Sequence, residues 1–165
     1  MNNIVLRILD KNELLLVRQV AAVVWPVTFR AILSEQQMAY MMQMMYAPEV
    51  MEREYDQGIK FYGLFDGEKP IGYLTWGHYA PETAKLHKCY LLPEYQGRGL
   101  GSLLLTEARK DARAAGFSRL RLNVNRNNTK AIRAYCRNGF KTIESVDNPI
   151  GNGFFMNDYV MEAEL

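Results

Sequence analysis

The sequence predicts a mixed α/β fold in a single domain covering residues 1–165, and three observations lead to this expectation. The chain has 165 residues, which suits one domain. Hydrophobic residues make up 48% and charged residues 23%, a balance typical of a globular protein with a sizeable core. Strand-like and helix-like segments also follow one another in the order strand, helices, antiparallel meander, helix, strand, helix, strand, strand.

The N-terminal segment is expected to form a strand and then a helix. Ile4–Ile8 is a short, largely apolar run that predicts a strand. Glu13–Val24 predicts a helix, because its apolar residues recur at intervals of three and four. Pro26 is expected to end this helix, since proline lacks the N–H group that the helical ladder needs.

Two further helices are expected before the main strands begin. Ser34–Gln37 fits a capping box, in which the Ser34 hydroxyl and the Gln37 side chain each satisfy a free backbone N–H. Pro48 is expected to close that helix, and Glu49–Gln57 predicts a third helical segment.

The middle of the chain predicts three consecutive antiparallel strands. Phe61–Phe65 and Ile71–His78 are rich in aromatic and β-branched residues. Asp66–Lys69 lies between them and contains the Asp-Gly pair of a hairpin turn. Ala84–Leu92 is expected to add the third strand.

The C-terminal half predicts alternating helices and strands. Apolar residues at helical spacing define its first helix, and glycine is a favourable residue just after a helix end. The expected elements are a helix from Leu100 to about Gly116, a strand at Leu120–Val124, a helix at Thr129–Asn138 capped by Gly139, and strands at Phe140–Val146 and Phe154–Ala163, separated by the turn-rich Asp147–Gly153.

Composition argues against several classes of partner. The 20 Lys and Arg against 18 Asp and Glu leave a formal charge of +2, too balanced to indicate nucleic-acid binding. Cys89 and Cys136 are the only cysteines, and no Cys/His cluster indicates a metal site. The sequence shows neither a signal peptide nor a run near the ~20 apolar residues of a membrane span. We therefore expect a cytoplasmic protein without metal, membrane or nucleic-acid partners.

The charges are nevertheless unevenly distributed along the chain. Arg109–Lys141 contains ten Lys or Arg residues and one acid, Asp111, whereas acidic residues cluster between Glu49 and Glu68. This polarity would suit an anionic ligand on one side and a cationic ligand on the other. A solvated basic surface is the alternative interpretation.

A glycine-rich segment, Gln96–Gly101, lies between a predicted strand and a helix start. Glycines let the backbone approach a ligand closely, and free N–H groups at a helix N-terminus attract phosphate oxygens. The lysine of a P-loop is missing, and Ser102 stands where a dinucleotide fingerprint needs its third glycine. The pyrophosphate-loop pattern Q/R-x-x-G-x-G/A is filled completely, and a glycine-rich structural turn remains the alternative.

Two motifs in the expected order carry a family resemblance. Tyr90–Gly101 resembles motif A of the GNAT superfamily, the acetyl-CoA-dependent N-acetyltransferases. Asn123–Tyr135 resembles motif B, with an N-x-x-A-x-x-x-Y core at Asn128, Ala131 and Tyr135. These three residues share one helical face, and Asn128 is also a suitable N-cap. The likeness extends from about residue 61 to the C-terminus.

The resemblance implies a GNAT-like domain with acetyl-CoA as cofactor. Its sheet would be twisted and mostly antiparallel, with six to seven strands and four to five flanking helices. Ala84–Leu92 would splay from Leu120–Val124 at a bulge, where the pantetheine arm enters and a backbone N–H near Leu91 contacts the thioester. Arg98, Arg133 or Arg137 would meet phosphates of coenzyme A. The residues assigned to the cofactor are Tyr90, Leu91, Leu92, Gln96, Gly97, Arg98, Gly99, Leu100, Gly101, Ser102, Asn128, Ala131 and Tyr135.

The implied reaction is direct acetyl transfer to a primary amine in a ternary complex, the acceptor being a small amine, a polyamine, an amino acid or a peptide. Tyr135 would be the general acid that protonates the departing thiolate. Lys85 stands near the position where relatives often carry a glutamate base. His87, with an ordinary pKa of about 6.5, is the candidate base, and Glu82 or water are alternatives.

Other mechanisms and functions remain open at this point. Covalent transfer through Cys89 or Cys136 would need a His/Asn relay that is not evident in the sequence. Because no base is obvious, a non-catalytic acyl-CoA-binding or regulatory module on the same fold is the alternative function.

The N-terminal third bears a fainter likeness to bacterial spermidine/spermine acetyltransferases, carried by Trp25–Arg30 and Ile32–Gln36. An aromatic wall around the acceptor, able to contact an amine through cation–π interactions, would be formed by Trp25, Phe29, Tyr40 and Tyr46. The methionine-rich segment Ser34–Tyr46 would be a lid over the acceptor, a core helix or the face of a homodimer.

Overall fold

The computed structural model describes residues 3–165 and confirms the mixed α/β fold. The strands are β1 (Ile4–Ile8), β2 (Lys60–Asp66), β3 (Lys69–Ala80), β4 (Thr83–Leu91), β5 (Arg119–Asn125), β6 (Lys141–Gly151) and β7 (Phe154–Glu164). The helices are α1 (Leu15–Phe29), α2 (Glu35–Tyr46), α3 (Pro48–Asp56), α4 (Leu100–Ala114) and α5 (Thr129–Arg137). Every predicted strand and helix is present, and most boundaries shift by only a few residues.

The strands form one seven-stranded sheet in the order β1-β2-β3-β4-β5-β7-β6. All neighbouring strands are antiparallel except β4 and β5, which are parallel. This arrangement confirms the mostly antiparallel sheet implied by the family resemblance. The parallel pair sits in the middle of the sheet, so any gap between its strands opens the centre of the molecule.

The parallel pair is joined along only half of its length. Thr83–Leu86 pairs with Arg119–Leu122, and the two strands have no paired residues beyond that point. On the other side of β4, the register with β3 shifts so that Leu86 faces Trp76 and Lys88 faces Thr75, which leaves His87 as an extra residue. A bulge of this kind bends a strand, and here it coincides with the divergence of β4 from β5.

Helices cover both faces of the central strands. Tyr73 of β3 contacts Tyr46 at the end of α2, whereas Trp76 contacts Phe117 just after α4. Residues an odd number of positions apart on a strand point to opposite faces, so the N-terminal helices and α4 lie on opposite sides of the sheet. The buried residues of α4 that complete the core are Leu104, Leu105, Ala108 and Ala112.

The prediction that Pro26 ends the first helix is wrong, because α1 continues to Phe29. Proline removes one backbone hydrogen bond from the helix interior, which costs about 3 kcal/mol in an isolated helix. Burial of Trp25 and Phe29 on either side offsets this cost, since both side chains are almost completely buried and their rings lie 4.7 Å apart.

The capping box predicted at the start of α2 is only half formed. The Ser34 hydroxyl accepts a hydrogen bond from the Gln37 backbone N–H at 3.1 Å, as expected. The Gln37 side chain instead donates to the Phe155 carbonyl at 2.6 Å. A contact distant in sequence has therefore replaced the local one, and it joins α2 to β7.

The turn predicted at Asp147–Gly153 is too long. Strand β6 continues to Gly151, and only two residues connect it to β7. Asn152 and Gly153 have φ values of 54° and 76°, the left-handed conformations that a tight type I′ hairpin turn requires. The long β6–β7 hairpin extends past β5 and reaches α2. There the hydroxyl of Tyr40, a residue of α2, donates to the Ile150 carbonyl at 2.6 Å.

A buried lysine fastens the N-terminal helices to the sheet. The Lys88 side chain is 2% exposed and forms an ion pair with Glu54 of α3 at 3.2 Å. The same ammonium donates to the Met45 carbonyl at 2.8 Å and lies 4.6 Å from the centre of the Tyr46 ring. Lys88 therefore joins β4 to both α2 and α3 just beyond the bulge.

We expect Glu54→Gln to lower the free energy of unfolding by about 3 kcal/mol, because it leaves Lys88 as a buried cation without a counter-charge. Urea denaturation at neutral pH followed by circular dichroism measures this loss. Asp56→Asn is the matched control, since its pair with Lys11 is exposed and should contribute less than about 1 kcal/mol. Equal losses in the two variants would contradict the structural role of the buried pair.

Candidate active site

A cavity of about 830 Å³ opens where β4 and β5 diverge. The second half of β4, the glycine-rich segment and α5 form one end of it. Helices α1 and α2 and the β6–β7 hairpin enclose the other end. The cavity therefore extends from the start of α4 to the far face of the sheet, and a long ligand could span it.

The glycine-rich segment is held in place by the side chain of Gln96. Its amide donates to the Leu91 carbonyl at 3.2 Å and accepts from Lys130 of α5 at 2.6 Å. Gly97 and Gly99 have backbone φ angles of 77° and 79°, which residues other than glycine rarely adopt. The segment is thus fixed between β4 and α5 with its backbone turned toward the cavity.

The backbone N–H groups of this segment are available to an anion. Within residues 3–165, the N–H groups of Gly97, Arg98 and Gly99 have no backbone or side-chain acceptor. The first N–H groups of α4 also lack partners inside the helix, and the helix dipole adds partial positive charge there. A Cβ at Gly97 or Gly99 would meet no atom within 4 Å, so packing does not demand these glycines. The segment fits the diphosphate of the expected cofactor.

The structure brings most of the predicted cofactor residues together around the cavity. Those that line it are Tyr90, Leu91, Gln96, Gly97, Gly99, Gly101, Ser102, Asn128, Ala131 and Tyr135. The other three, Leu92, Arg98 and Leu100, do not line it. Leu92 is buried and its N–H donates to the Ile71 carbonyl at 2.8 Å, whereas the Arg98 guanidinium lies 5.1 Å from the Tyr95 ring.

Helix α5 presents a tyrosine to the middle of the cavity. The Asn128 side chain caps the helix by accepting from the Ala131 N–H at 3.3 Å, which confirms the expected N-cap. Tyr135 lies on the same face and packs edge-on against Phe140 at 5.8 Å. Burial, together with neighbouring Cys89 and Tyr90, raises the pKa of the Tyr135 phenol well above its ordinary value. The phenol is therefore protonated at neutral pH and can donate a proton.

The cysteines do not form a nucleophilic site. Cys89 lines the cavity, but burial raises the pKa of its thiol to about 12. The thiolate is the nucleophilic form, so this cysteine is inert at neutral pH. Cys136 is exposed and does not line the cavity. This arrangement gives no support to the covalent alternative.

His87 occupies the bulge and lines the cavity, yet its pKa differs from the expected value of 6.5. Burial, together with the charges of Lys85 and Lys88, lowers the pKa to about 4. The imidazole is therefore neutral at pH 7, and its buried Nε2 has no partner among residues 3–165. Glu82, the alternative base, is exposed, pairs with Arg119 at 3.6 Å and does not line the cavity.

Two of the four predicted aromatic wall residues line the cavity, at the end enclosed by α1 and α2. Trp25 and Phe29 contact the cavity, and Trp25 lies 5.9 Å from the Tyr90 ring. Tyr46 is fully buried behind them, where its hydroxyl accepts from Trp25 Nε1 at 3.1 Å and bonds to the Tyr73 hydroxyl at 2.6 Å. Tyr46 is thus a support for Trp25 and not part of the wall.

Helix α2 contributes methionines to the cavity in place of its tyrosine. Tyr40 does not line the cavity, because its hydroxyl is bound to the Ile150 carbonyl and its ring packs on Phe154 at 5.4 Å. The residues of α2 that do line it are Gln37, Met41, Met44 and Met45. Methionine adapts to irregular shapes, so this surface can accommodate a flexible acceptor.

The acidic segment Glu49–Glu68 does not form the expected anionic surface. Only Glu54 from that segment lines the cavity, and it is paired with Lys88. Asp66 accepts a hydrogen bond from Tyr95 instead, outside the cavity. Lys130 and Arg137 line the cavity on the cofactor side, whereas Arg133 does not. Of the two oppositely charged sides that the sequence predicts, only the basic side is therefore found at the cavity.

Asp158 of β7 is an acidic residue of the cavity that was not predicted from the sequence. It is 3% exposed and accepts a long hydrogen bond of 3.4 Å from Asn123. An aspartate at a buried position of an otherwise largely apolar strand was the available signal. Its neighbours on β5 and β4 only become apparent once the order of the strands is known.

The shape and polar groups of the cavity indicate which class of ligand the protein binds. A ligand that occupies both the glycine-rich cradle and the gap between β4 and β5 needs phosphates at one end and a slender arm at the other, which is the shape of a nucleotide-linked acyl carrier. The profile of the acetyltransferase (GNAT) family matches residues 25–140. The chain belongs to this family of N-acetyltransferases, whose members use acetyl-CoA.

Individual relatives agree with the family assignment over the full chain. A protein named spermidine N(1)-acetyltransferase from Thermoplasma acidophilum is 30% identical, with 98% of each chain covered. A crystal structure of the PaiA N-acetyltransferase of the same organism in complex with coenzyme A superposes with a TM-score of 0.85, at 29% identity and 99% coverage of both chains. A GCN5-related protein from Rhodopseudomonas palustris shares the fold at 18% identity, with a TM-score of 0.81 and 98% and 95% coverage.

The lengths and hydropathy of the helices were compared with those of membrane-spanning helices. Within residues 3–165, none is long and apolar enough to cross a bilayer.

We expect the depressed pKa of His87 to make stability depend on pH. Because the pKa is about 4 when folded and about 6.5 when unfolded, the unfolded chain binds more protons between these values. Stability is therefore complete above pH 6.5 and falls as the pH decreases toward 4, by about 2 kcal/mol between pH 7 and pH 4.5 from this residue. His87→Gln should lose correspondingly less stability over that range in urea denaturation.

The exposed His78→Gln variant is the matched control and should keep the pH dependence of the wild type. If His87→Gln and the wild type lose the same free energy between pH 7 and pH 4.5, His87 is not buried in its neutral form.

Proposed function

We propose that this protein is an acetyl-CoA-dependent N-acetyltransferase that transfers the acetyl group directly to a primary amine in a ternary complex. One observation carries the proposal: a single cavity contacts the glycine-rich cradle, Tyr135 and the Trp25–Phe29 wall. Both substrates can therefore meet in one space without a covalent carrier. The raised pKa of Cys89 also supports direct transfer.

The cofactor end would be formed by residues 96–102 together with Lys130 and Arg137. The free N–H groups of the glycine-rich segment would bind the diphosphate, and the two cations would contribute long-range attraction. After Leu86, the edge of β4 that faces β5 has no strand partner, so its backbone groups are free to bond the pantetheine arm. Bound there, acetyl-CoA supplies a thioester whose carbonyl carbon is open to nucleophilic attack.

Tyr135 would protonate the sulfur as the C–S bond breaks. The new bond joins the amine nitrogen to the acetyl carbon, and the electron pair of the C–S bond leaves with sulfur. The burial that raises the pKa of the phenol also disfavours a free thiolate, so the proton is transferred between groups that are both desolvated. General acid catalysis of this kind contributes about 10²- to 10⁴-fold in rate.

The acceptor would be a small aliphatic amine, with polyamines as the first candidates. The 30% identical relative is named for spermidine, and the faces of Trp25 and Phe29 can contact an alkylammonium group. A thiol-release assay over spermidine, amino acids and peptide N-termini tests the proposal. Acetyl-CoA binding without turnover on any amine would favour the non-catalytic module instead.

We expect Tyr135→Phe to lower kcat by about 10²- to 10⁴-fold, because it removes the proton donor and keeps the ring that packs on Phe140. Steady-state kinetics give kcat, and isothermal titration should give an unchanged Kd for coenzyme A. The matched control is Tyr159→Phe, a tyrosine of β7 that does not line the cavity. Full activity in Tyr135→Phe would exclude this phenol as the acid.

We expect Gly101→Val to weaken coenzyme A binding at least tenfold, because the added methyl groups project into the cavity at the start of α4. Gly101→Ala is the matched control, since its Cβ would meet only Leu91 at an ordinary 3.9 Å and alanine favours the helix. Isothermal titration with coenzyme A compares the two variants. Equal affinities would mean that the cofactor does not approach the backbone at this position.

A further inference from the structure

We propose that Asp158 binds the ammonium group of the acceptor and takes its proton before acetyl transfer. The inference rests on the amine acetylation proposed above and assigns the role of base to Asp158 in place of His87, the candidate predicted from the sequence. It is carried by the position of Asp158 in the lining of the cavity, its burial, and the lack of a cationic partner for its carboxylate among the described residues.

The carboxylate of Asp158 is almost completely removed from water, with 3% of the residue exposed. Its side chain has one hydrogen bond, a long one of 3.4 Å from the Asn123 amide. Burial of a charged group is costly unless the group is paired and hydrogen-bonded. Lys88, the other buried charge of the cavity, has both an ion pair and a carbonyl partner, so Asp158 is the exception.

The cations around Asp158 are directed elsewhere. Lys85 faces it from β4, but its ammonium lies 5.3 Å from the Tyr79 ring and forms no ion pair within residues 3–165. Arg126 follows β5, but its guanidinium bonds to Asp147 at 2.5 Å and to the Val146 carbonyl at 2.8 Å. The side chain of Asp158 is therefore free to receive an ammonium group that enters the cavity.

The same surroundings prepare the carboxylate to accept a proton. Burial raises the pKa of Asp158, while the Asn123 hydrogen bond and the charges of Lys85 and Arg126 oppose that rise. An ammonium group entering the cavity loses hydration and lies near Lys85, so its own pKa falls. Desolvation thus moves the two pKa values toward each other and favours proton transfer from nitrogen to Asp158, whereas the attraction between ammonium and carboxylate opposes it. His87 faces the same space, but burial acts on it in the opposite sense and lowers its pKa to about 4, whereas burial raises that of Asp158.

The proton balance of the whole reaction is complete with these groups. The ammonium gives one proton to Asp158, and the neutral amine forms the C–N bond. The nitrogen of the adduct then loses a second proton, which replaces the one that Tyr135 gives to the sulfur. Asp158 finally releases its proton to solvent, so the net products are the amide, the free thiol and one proton.

Asp158→Asn tests the proposal, because it keeps the shape of the side chain and cannot accept the proton. At pH 7 we expect kcat/KM for spermidine to fall about 10²-fold or more, with Kd for coenzyme A unchanged. Methoxyamine is already neutral at that pH, so its kcat/KM should stay within a few-fold of the wild-type value. A merely structural role would lower the activity toward both amines alike.

Glu82→Gln is the matched control, since this carboxylate lies outside the cavity, and it should leave both activities unchanged. Asp158→Glu keeps a carboxylate and should retain the wild-type preference for spermidine over methoxyamine, which preserves the comparison if Asp158→Asn fails to fold. Wild-type activity of Asp158→Asn toward spermidine, an equal loss toward both amines, or a selective loss in His87→Gln alone would overturn the assignment. Absence of wild-type turnover with these two amines and with every amino acid and peptide of the thiol-release assay would overturn the proposed function itself.

Discussion

The structure depends on the point at which β4 and β5 stop pairing. Pairing ends at Leu86 and Leu122, next to the extra residue His87. An unpaired stretch in the centre of a sheet leaves backbone N–H and C=O groups without partners, which is costly unless another molecule supplies them. Helices on both faces prevent the sheet from closing up. The gap is thus a built feature of the fold, and its unsatisfied backbone provides the polar surface that an extended ligand can match.

Buried charges on β4 and β7 divide this centre into a structural part and a reactive part. Lys88 has a carboxylate, a carbonyl and an aromatic ring as partners, so its charge is fully used in joining α2 and α3 to the sheet. Asp158 also lines the cavity, and its carboxylate has a single long hydrogen bond among the described residues. A group that reacts with a substrate must have hydrogen-bonding positions that the protein leaves unoccupied. A group that stabilises the fold has all of these positions occupied by protein partners. The two residues are both buried, and they differ in how many hydrogen-bond and charge partners the protein provides.

Features encoded by neighbouring residues were predictable, and those that depend on the order of strands were not. The glycine-rich segment and the Asn128–Tyr135 helix have local spacing that determines their conformation, so both were found from sequence. The predicted helix end at Pro26 was wrong, because the free-energy cost of a proline inside the helix is offset by packing against residues distant in the chain. Tyr46 has no local signature, and an aspartate in a largely apolar strand does not by itself indicate a role for Asp158. Tyr46 lies behind Trp25, and Asp158 lines the cavity close to Lys85 of β4. Their roles follow from which strands become neighbours, and a single sequence does not state this.

Desolvation is the largest cause of the pKa shifts of Cys89, Tyr135 and His87 in the cavity, and it favours the neutral form of each of these three groups. The pKa of Cys89 and Tyr135 rises, whereas that of His87 falls. A site of this kind disfavours both a thiolate nucleophile and an imidazolium ion. It favours an amine that arrives as a cation and becomes neutral inside, because the neutral amine is the nucleophile and needs no water around it. A reaction in which the attacking nitrogen and the departing sulfur each finish neutral is therefore the chemistry that this cavity can best accommodate, provided that one carboxylate remains able to take the proton out.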